Sequence, residues 1–193
     1  LAETKEEAYK MAKELKELND VRKDMTQKGV EQAKELIETT ELRHDKILVV
    51  YLVDCHESIA GIIAGRIREY YNKPTFILTK GEDSVKGSGR SIESYNMFME
   101  LEKSSEYLIK FGGHPMAAGL SIEEKDISSF RKNLNDLTTL TDEDLIAKVT
   151  IDVVLPLGYI SKELVEELNI LEPFGKGNPK PVFAERDVSV TRA

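Results

Sequence analysis

Residues 46 to 54, KILVVYLVD, constrain the fold more than any other stretch of this chain. From Ile47 to Val53 every residue is apolar, and most are β-branched. A strand with one wet face alternates apolar and polar residues, whereas an unbroken run is a strand covered on both faces. Such a strand needs layers above and below it, which makes the domain α/β. The run is also far short of the ~20 apolar residues that cross a bilayer. The next residues agree. Ser58 to Tyr71 has helical spacing, with Gly61 and Gly65 placed to let that helix approach a sheet closely. Pro74 then opens a second strand, Thr75 to Thr79. Strand, helix and strand in about 35 residues predict a parallel βαβ unit.

Upstream, residues 1 to 41 read as one long helix. Thr4 and Glu7 form a plausible capping box, and Ala8, Met11, Leu15, Leu18 and Met25 recur at helical spacing. The remaining positions carry mixed charge, the pattern of a solvated face, and Gly29 weakens the middle. Downstream, Gly81 to Ser84 reads as a turn and Val85 to Arg90 as a glycine-broken strand. Asn96 to Lys110 is expected to be helical, Phe111 to Gly119 a loop, Gly119 to Ile122 a short strand and Asp126 to Leu137 a helix. This predicts a domain over 46–140 with a mostly parallel central sheet. Polar residues 138–145 mark a boundary. Ala147 to Leu155 is then a strand, Ser161 to Leu171 a capped helix, Pro173 to Pro181 a rigid turn-rich segment and Val182 to Val190 a strand lead-in. The expected partition is 1–45, 46–140 and 141–193. Both ends read as interior sequence, which predicts a longer protein.

The chain carries 35 acidic and 27 basic residues, for a formal net charge of −8. That argues against a surface that binds polyanions in bulk, so any nucleic-acid contact must be local. One cysteine, Cys55, excludes an internal disulfide and a thiolate zinc cluster, and points to a reducing, cytoplasmic compartment. The three histidines lack tight metal-ligand spacing, so no metal site is expected on this chain.

Two glycine-rich phrases carry the chemistry. In KGSGRS, residues 86–91, glycines expose backbone N–H groups, Ser88 and Ser91 add hydroxyls, and Arg90 supplies a fork suited to phosphate. The phrase lacks Walker spacing, so a phosphate cradle and a bulged hairpin both remain open. In FGGHPMAAG, residues 111–119, Gly112 and Gly113 allow a sharp turn from which His114 projects. That imidazole suits a donor to phosphate oxygen or a proton-transfer group; a packed turn with a hydrogen-bonded histidine is the alternative. His56 directly follows the first strand, where open α/β sheets place ligands; the alternative is a cap for the next helix made by Ser58 or Glu57. His44 reads as exposed, and Cys55 as a small buried residue without a base partner.

These phrases together resemble a known family. His56-Glu57 leading through Gly61 to Arg66, then Gly87-Ser88-Gly89-Arg90-Ser91, then Gly112-Gly113-His114 through Gly119 resemble the DHHA1 domain of the DHH phosphoesterase superfamily. Glu172-Pro-Phe-Gly-x-Gly-Asn-Pro-x-Pro-x-Phe183 resembles the lead into the oligonucleotide-binding (OB) fold of RecJ-type exonucleases. The resemblance covers nearly the whole chain. It departs from the family pattern at Cys55 and Ser58, where tryptophan and glycine are usual.

The resemblance implies an α/β fold with a long connector helix, a DHHA1 domain and the start of an OB-fold. It implies the substrate-gripping part of a 5′-to-3′ single-stranded-DNA exonuclease of repair and recombination. Manganese or magnesium would sit in a separate N-terminal DHH domain, the partner across the cleft; no Asp-His-His occurs in these 193 residues. His114 would be the catalytic contribution. Gly87, Ser88, Gly89, Arg90, Ser91, Gly112, Gly113 and His56 would hold the DNA. Arg66 would add a phosphate contact or form a helix-surface salt bridge. Two other readings are a stand-alone nucleic-acid-binding module and a fragment of an oligonucleotide or cyclic-dinucleotide phosphodiesterase.

Overall fold

The computed structural model describes residues 2–189. The chain divides into two compact units, 1–146 and 147–193.

The first unit opens with α1, Lys5–Thr39. Thr4 Oγ1 caps it by accepting the Glu7 N–H at 3.2 Å, while the Glu7 carboxylate accepts from Glu3 N–H at 2.9 Å. That is one residue earlier than in a strict capping box. Only the second half of α1 is buried, through Thr26, Gly29, Val30, Ala33 and Ile37. The position expected to weaken the helix is its contact point: a Cβ on Gly29 would lie 2.5 Å from Ile63 Cδ1. Here α1 meets α2, Glu57–Tyr71. Tyr71 Oη also donates to Glu38 at 2.6 Å, and the Lys34 ammonium sits 3.2 Å from the Tyr70 ring centroid.

Five strands form the sheet: β1 (Leu48–Tyr51), β2 (Thr75–Lys80), β3 (Val85–Arg90), β4 (Leu108–His114) and β5 (Ala117–Ile122). Their order is β1-β2-β3-β5-β4. β1 and β2 are parallel around α2, as the βαβ reading predicts. The other three pairings are antiparallel, so the sheet is not mostly parallel. Loop length decides this: β2–β3 and β4–β5 are joined by short turns, and a parallel return needs a long crossover. The helix expected over 96–110 is α3, Met97–Lys103, and stops early. Past a 3-10 turn, Ser105–Tyr107, the chain is neither helix nor loop. Leu108 to Ile122 is a hairpin that turns on Pro115 and Met116.

Both faces of β1 are covered, as its composition requires. Leu48, Val50 and Ile77 pack with α1 and α2. Ile47, Val49, Phe76 and Leu78 pack on the other side with α3 and α4, Ile127–Leu137. There Phe76 and Phe130 meet edge to face, with centroids 5.8 Å apart. In this layer the Tyr95 hydroxyl is buried without a hydrogen-bond partner among the described residues. Tyr95→Phe is therefore expected to raise stability by about 1 kcal/mol or more, read by denaturant unfolding. Desolvation, with Glu100 adding, pushes the Tyr95 phenol above its ordinary value of 10.0. The neutral form is thus favoured by folding. Its contribution is complete below about pH 10 and lost as pH rises further, and the phenylalanine variant should lose less stability there.

In the second unit, β6 (Val153–Val154) pairs in parallel with β7 (Phe183–Ala184). The strand expected over 147–155 is reduced to those two residues. α5, Lys162–Leu168, is capped by Ser161 Oγ, which accepts Leu164 N–H at 3.2 Å. Gly175 and Asn178 exchange two backbone hydrogen bonds within the turn-rich segment, at 2.9 and 3.1 Å. Of the strand lead-in over 182–190, Val190 lies outside the described residues.

Candidate nucleic-acid interface

Cross-strand partners project to the same face of a sheet. The register of β3, β5 and β4 therefore sets three rows on one face: Arg90-Ala117-His114, Ser88-Gly119-Gly112 and Lys86-Ser121-Lys110. This is the face on which α2 packs, because a Cβ on Gly61 would lie 2.8 Å from Arg90 Nη2 and 2.9 Å from Ser88 Oγ. Gly61 thus lets α2 close over the β3 end of the rows. The β4 end is open: Lys110, Gly112, His114 and Gly119 are all exposed.

Arg90 is half-buried under α2, and its Nη1 donates to Gly89 O at 2.7 Å and Ser88 Oγ at 3.3 Å. These bonds fix the guanidinium and leave donors free. His114 ends β4, two strands away, roughly 10 Å at ordinary strand spacing. Between them stands only the methyl of Ala117. The hairpin turn is latched to the segment that leaves β3: Ser91 N–H donates to Met116 O at 2.9 Å and Met97 N–H to Pro115 O at 3.0 Å. The segment carrying Arg90 and the segment carrying His114 are thereby tied together. Beside them, Gly113 has φ +153°, and a Cβ there would lie 2.4 Å from Ala117 O. That conformation requires glycine.

Several predicted residues serve the fold instead. Gly87 and Gly89 point to the opposite face, where a Cβ would lie 2.6 Å from Leu78 Cδ2 and 2.5 Å from Met97 Sδ respectively. Their backbone belongs to a strand paired on both sides, so it is no phosphate cradle. Ser91 is buried and its hydroxyl donates to Tyr95 O at 2.6 Å, which removes it from the phosphate ligands. His56 is the N-cap residue of α2: its Nδ1 accepts Ser58 N–H at 3.2 Å. It lines a depression with Lys80 and Lys86, at the far end of the face from Arg90. Arg66 Nη1 donates to Gln27 Oε1 of α1 at 3.4 Å, so the structure does not bring it to the rows. Cys55 is half-buried and desolvation pushes its thiol up, which opposes a nucleophilic role. His44 is exposed and accepts from Arg43 Nε at 2.9 Å.

Lys86 and Lys110 were missed by motif reading. The signal was the period-two alternation of Lys86, Ser88 and Arg90 against Val85, Gly87 and Gly89. None of Lys86, Arg90, Lys110 or His114 is ion-paired among the described residues. In a chain of charge −8 these rows are a local cationic face suited to phosphates. Among the described residues, no group of three or more His, Cys, Asp or Glu side chains could hold a metal ion. No helix among them is long and apolar enough to cross a membrane.

The model of the DHHA1 domain matches residues 44–139, which places a DHHA1 domain within the first unit. The model of the RecJ OB domain matches residues 151–193. The single-stranded-DNA-specific exonuclease RecJ of Bacillus subtilis is 36% identical over 185 residues, covering 94% of this chain and 23% of that protein. The RecJ of Escherichia coli is 34% identical, covering 92% of this chain and 32% of its own length. A crystal structure of RecJ with Mn2+ from Thermus thermophilus superposes with TM-score 0.81 at 27% identity, over 95% of this chain and 27% of that one. The chain belongs to the RecJ family, and spans about a quarter to a third of the length of these relatives.

Proposed function

We propose that the Arg90–His114 face holds single-stranded DNA for 5′-to-3′ exonucleolytic hydrolysis in cytoplasmic repair and recombination. The Bacillus subtilis and Escherichia coli relatives are single-stranded-DNA-specific exonucleases, and the Thermus thermophilus RecJ was crystallised with manganese and again with magnesium. No described cluster on this chain fits such an ion, so the metal is assigned to a DHH domain of the whole protein, across the cleft from this face. The observation that carries the reading is the row itself: a fixed guanidinium and an exposed imidazole flank one methyl on a face with no paired carboxylate.

On this reading Arg90 holds a phosphate through its free N–H groups, assisted by Ser88. His114 donates to the same group from the open side, at the terminal nucleotide or scissile phosphate. Gly112 keeps the approach over β4 clear, and Gly113, which belongs to the opposite face, shapes the strand end that carries His114. The chain's share of catalysis is positioning and charge stabilisation. Mixed with manganese and 5′-labelled single-stranded DNA, this chain is expected to bind the strand without cutting it. Cleavage by the chain alone, or no binding at low salt, would contradict the assignment.

A further inference from the structure

Two glycines on the open face have no steric reason in the fold. A Cβ on Gly112 would meet nothing within 4 Å, and one on Gly119 only Gly87 O at 3.7 Å, an ordinary contact. Neither has positive φ. Glycine inside a strand costs conformational entropy and contributes no packing. With Ser88 they form the middle row, a nearly side-chain-free floor. On one side lies the Arg90-Ala117-His114 row. On the other lie Lys86, Ser121 and Lys110, with Lys86 Nζ donating to Ser121 Oγ at 3.1 Å. Thr79 extends that outer row as the register partner of Lys86; it is wholly buried and its hydroxyl has no partner among the described residues. Thr79 lines a cavity of about 290 Å³, and Lys110 one of about 390 Å³. The two cavities share Lys86, Gly119 and Leu120.

We propose that this face is a track for two consecutive phosphates. Arg90 and His114 hold one. Lys86 and Lys110 hold the next, with the Ser121 and Thr79 hydroxyls beside them, and the intervening sugar lies on the Gly112–Gly119 floor. The outer rows are two rows apart, four residues along each strand, roughly 13 Å between backbones; Arg90 Nη1 reaches in to Ser88 Oγ of the middle row at 3.3 Å, while Lys86 Nζ stays in its own row on Ser121 Oγ, which shortens that span toward the step between phosphates of an extended single strand. The assignment rests on the proposed nucleic-acid function and adds a second subsite, which sets the shortest well-held ligand at a dinucleotide.

The test titrates this chain with thymidine 5′-monophosphate and with 5′-phosphorylated dithymidine, which carries two phosphates. The dinucleotide is expected to bind about tenfold tighter or more. K86A combined with K110A should erase that gain and lower the mononucleotide affinity far less than the dinucleotide affinity; R90A should weaken both ligands. Gly119→Val should likewise bring the dinucleotide to the mononucleotide level, with a thermal midpoint no lower than the parent's. Equal affinity for the two ligands in the parent chain overturns the track while leaving the Arg90 site standing. So does an equal loss for both ligands in the double lysine variant. Failure of both ligands to bind removes the nucleic-acid reading and the track with it.

Discussion

Gly113→Ala destabilises the folded chain by about 3 kcal/mol or more, whereas Gly112→Ala, one residue earlier, shifts stability by no more than roughly 0.5 kcal/mol. The contrast is local. The Gly113 φ of +153° is open to glycine, and an added Cβ would lie 2.5 Å from Ala118 Cα as well as against Ala117 O. Backbone cannot rotate away as a flexible side chain can, so the β4–β5 register must shift. At Gly112 the added methyl enters solvent. Denaturant unfolding of both variants reads the difference directly. Similar midpoints for the two would mean that the hairpin is built otherwise.

Arg90→Ala is expected to lower affinity for a single-stranded oligonucleotide about 10- to 100-fold, the range for losing charge-assisted hydrogen bonds. Its strand pairing and the surrounding core remain, so the folded signal should persist. Arg90→Lys keeps the charge but loses the fork, and should recover only part of the affinity. His114→Ala should also weaken binding, and the double variant should lose less than the two single losses combined. Groups that hold one phosphate are coupled in this way, and a double-mutant cycle measures it. Additive losses would place the two side chains on different parts of the strand. Parental affinity in both single variants would remove the face from binding altogether.

The layered α/β fold was legible because KILVVYLVD admits few alternatives, and the βαβ unit followed from Gly61, Gly65 and Pro74. Strand direction beyond β2 was not legible. Glycines at 87, 89, 112 and 113 mask the period of two on which strand recognition rests, so β4 was read as part helix and part loop. Arg90 and His114 were found as residue types, and the register placed them on one face. Gly87, Gly89 and Ser91, read as phosphate ligands, are engaged within the fold, and sequence hides this for one reason. Sequence shows that glycine and serine are present, but not whether their backbone and hydroxyls are already used within the protein. Ladder pairing, and the Ser91–Tyr95 hydrogen bond, use them.

The two backbone hydrogen bonds from Ser91 and Met97 to the turn at Pro115 and Met116 reach past the hairpin. They tie the segments of Arg90 and His114, the two jaws of the proposed clamp, into a single casting. If the module swings during turnover, the gap between guanidinium and imidazole travels unchanged, like the fixed opening of a spanner. Control over grip must then come from how near the module is brought to its counterpart, since the opening itself has no hinge.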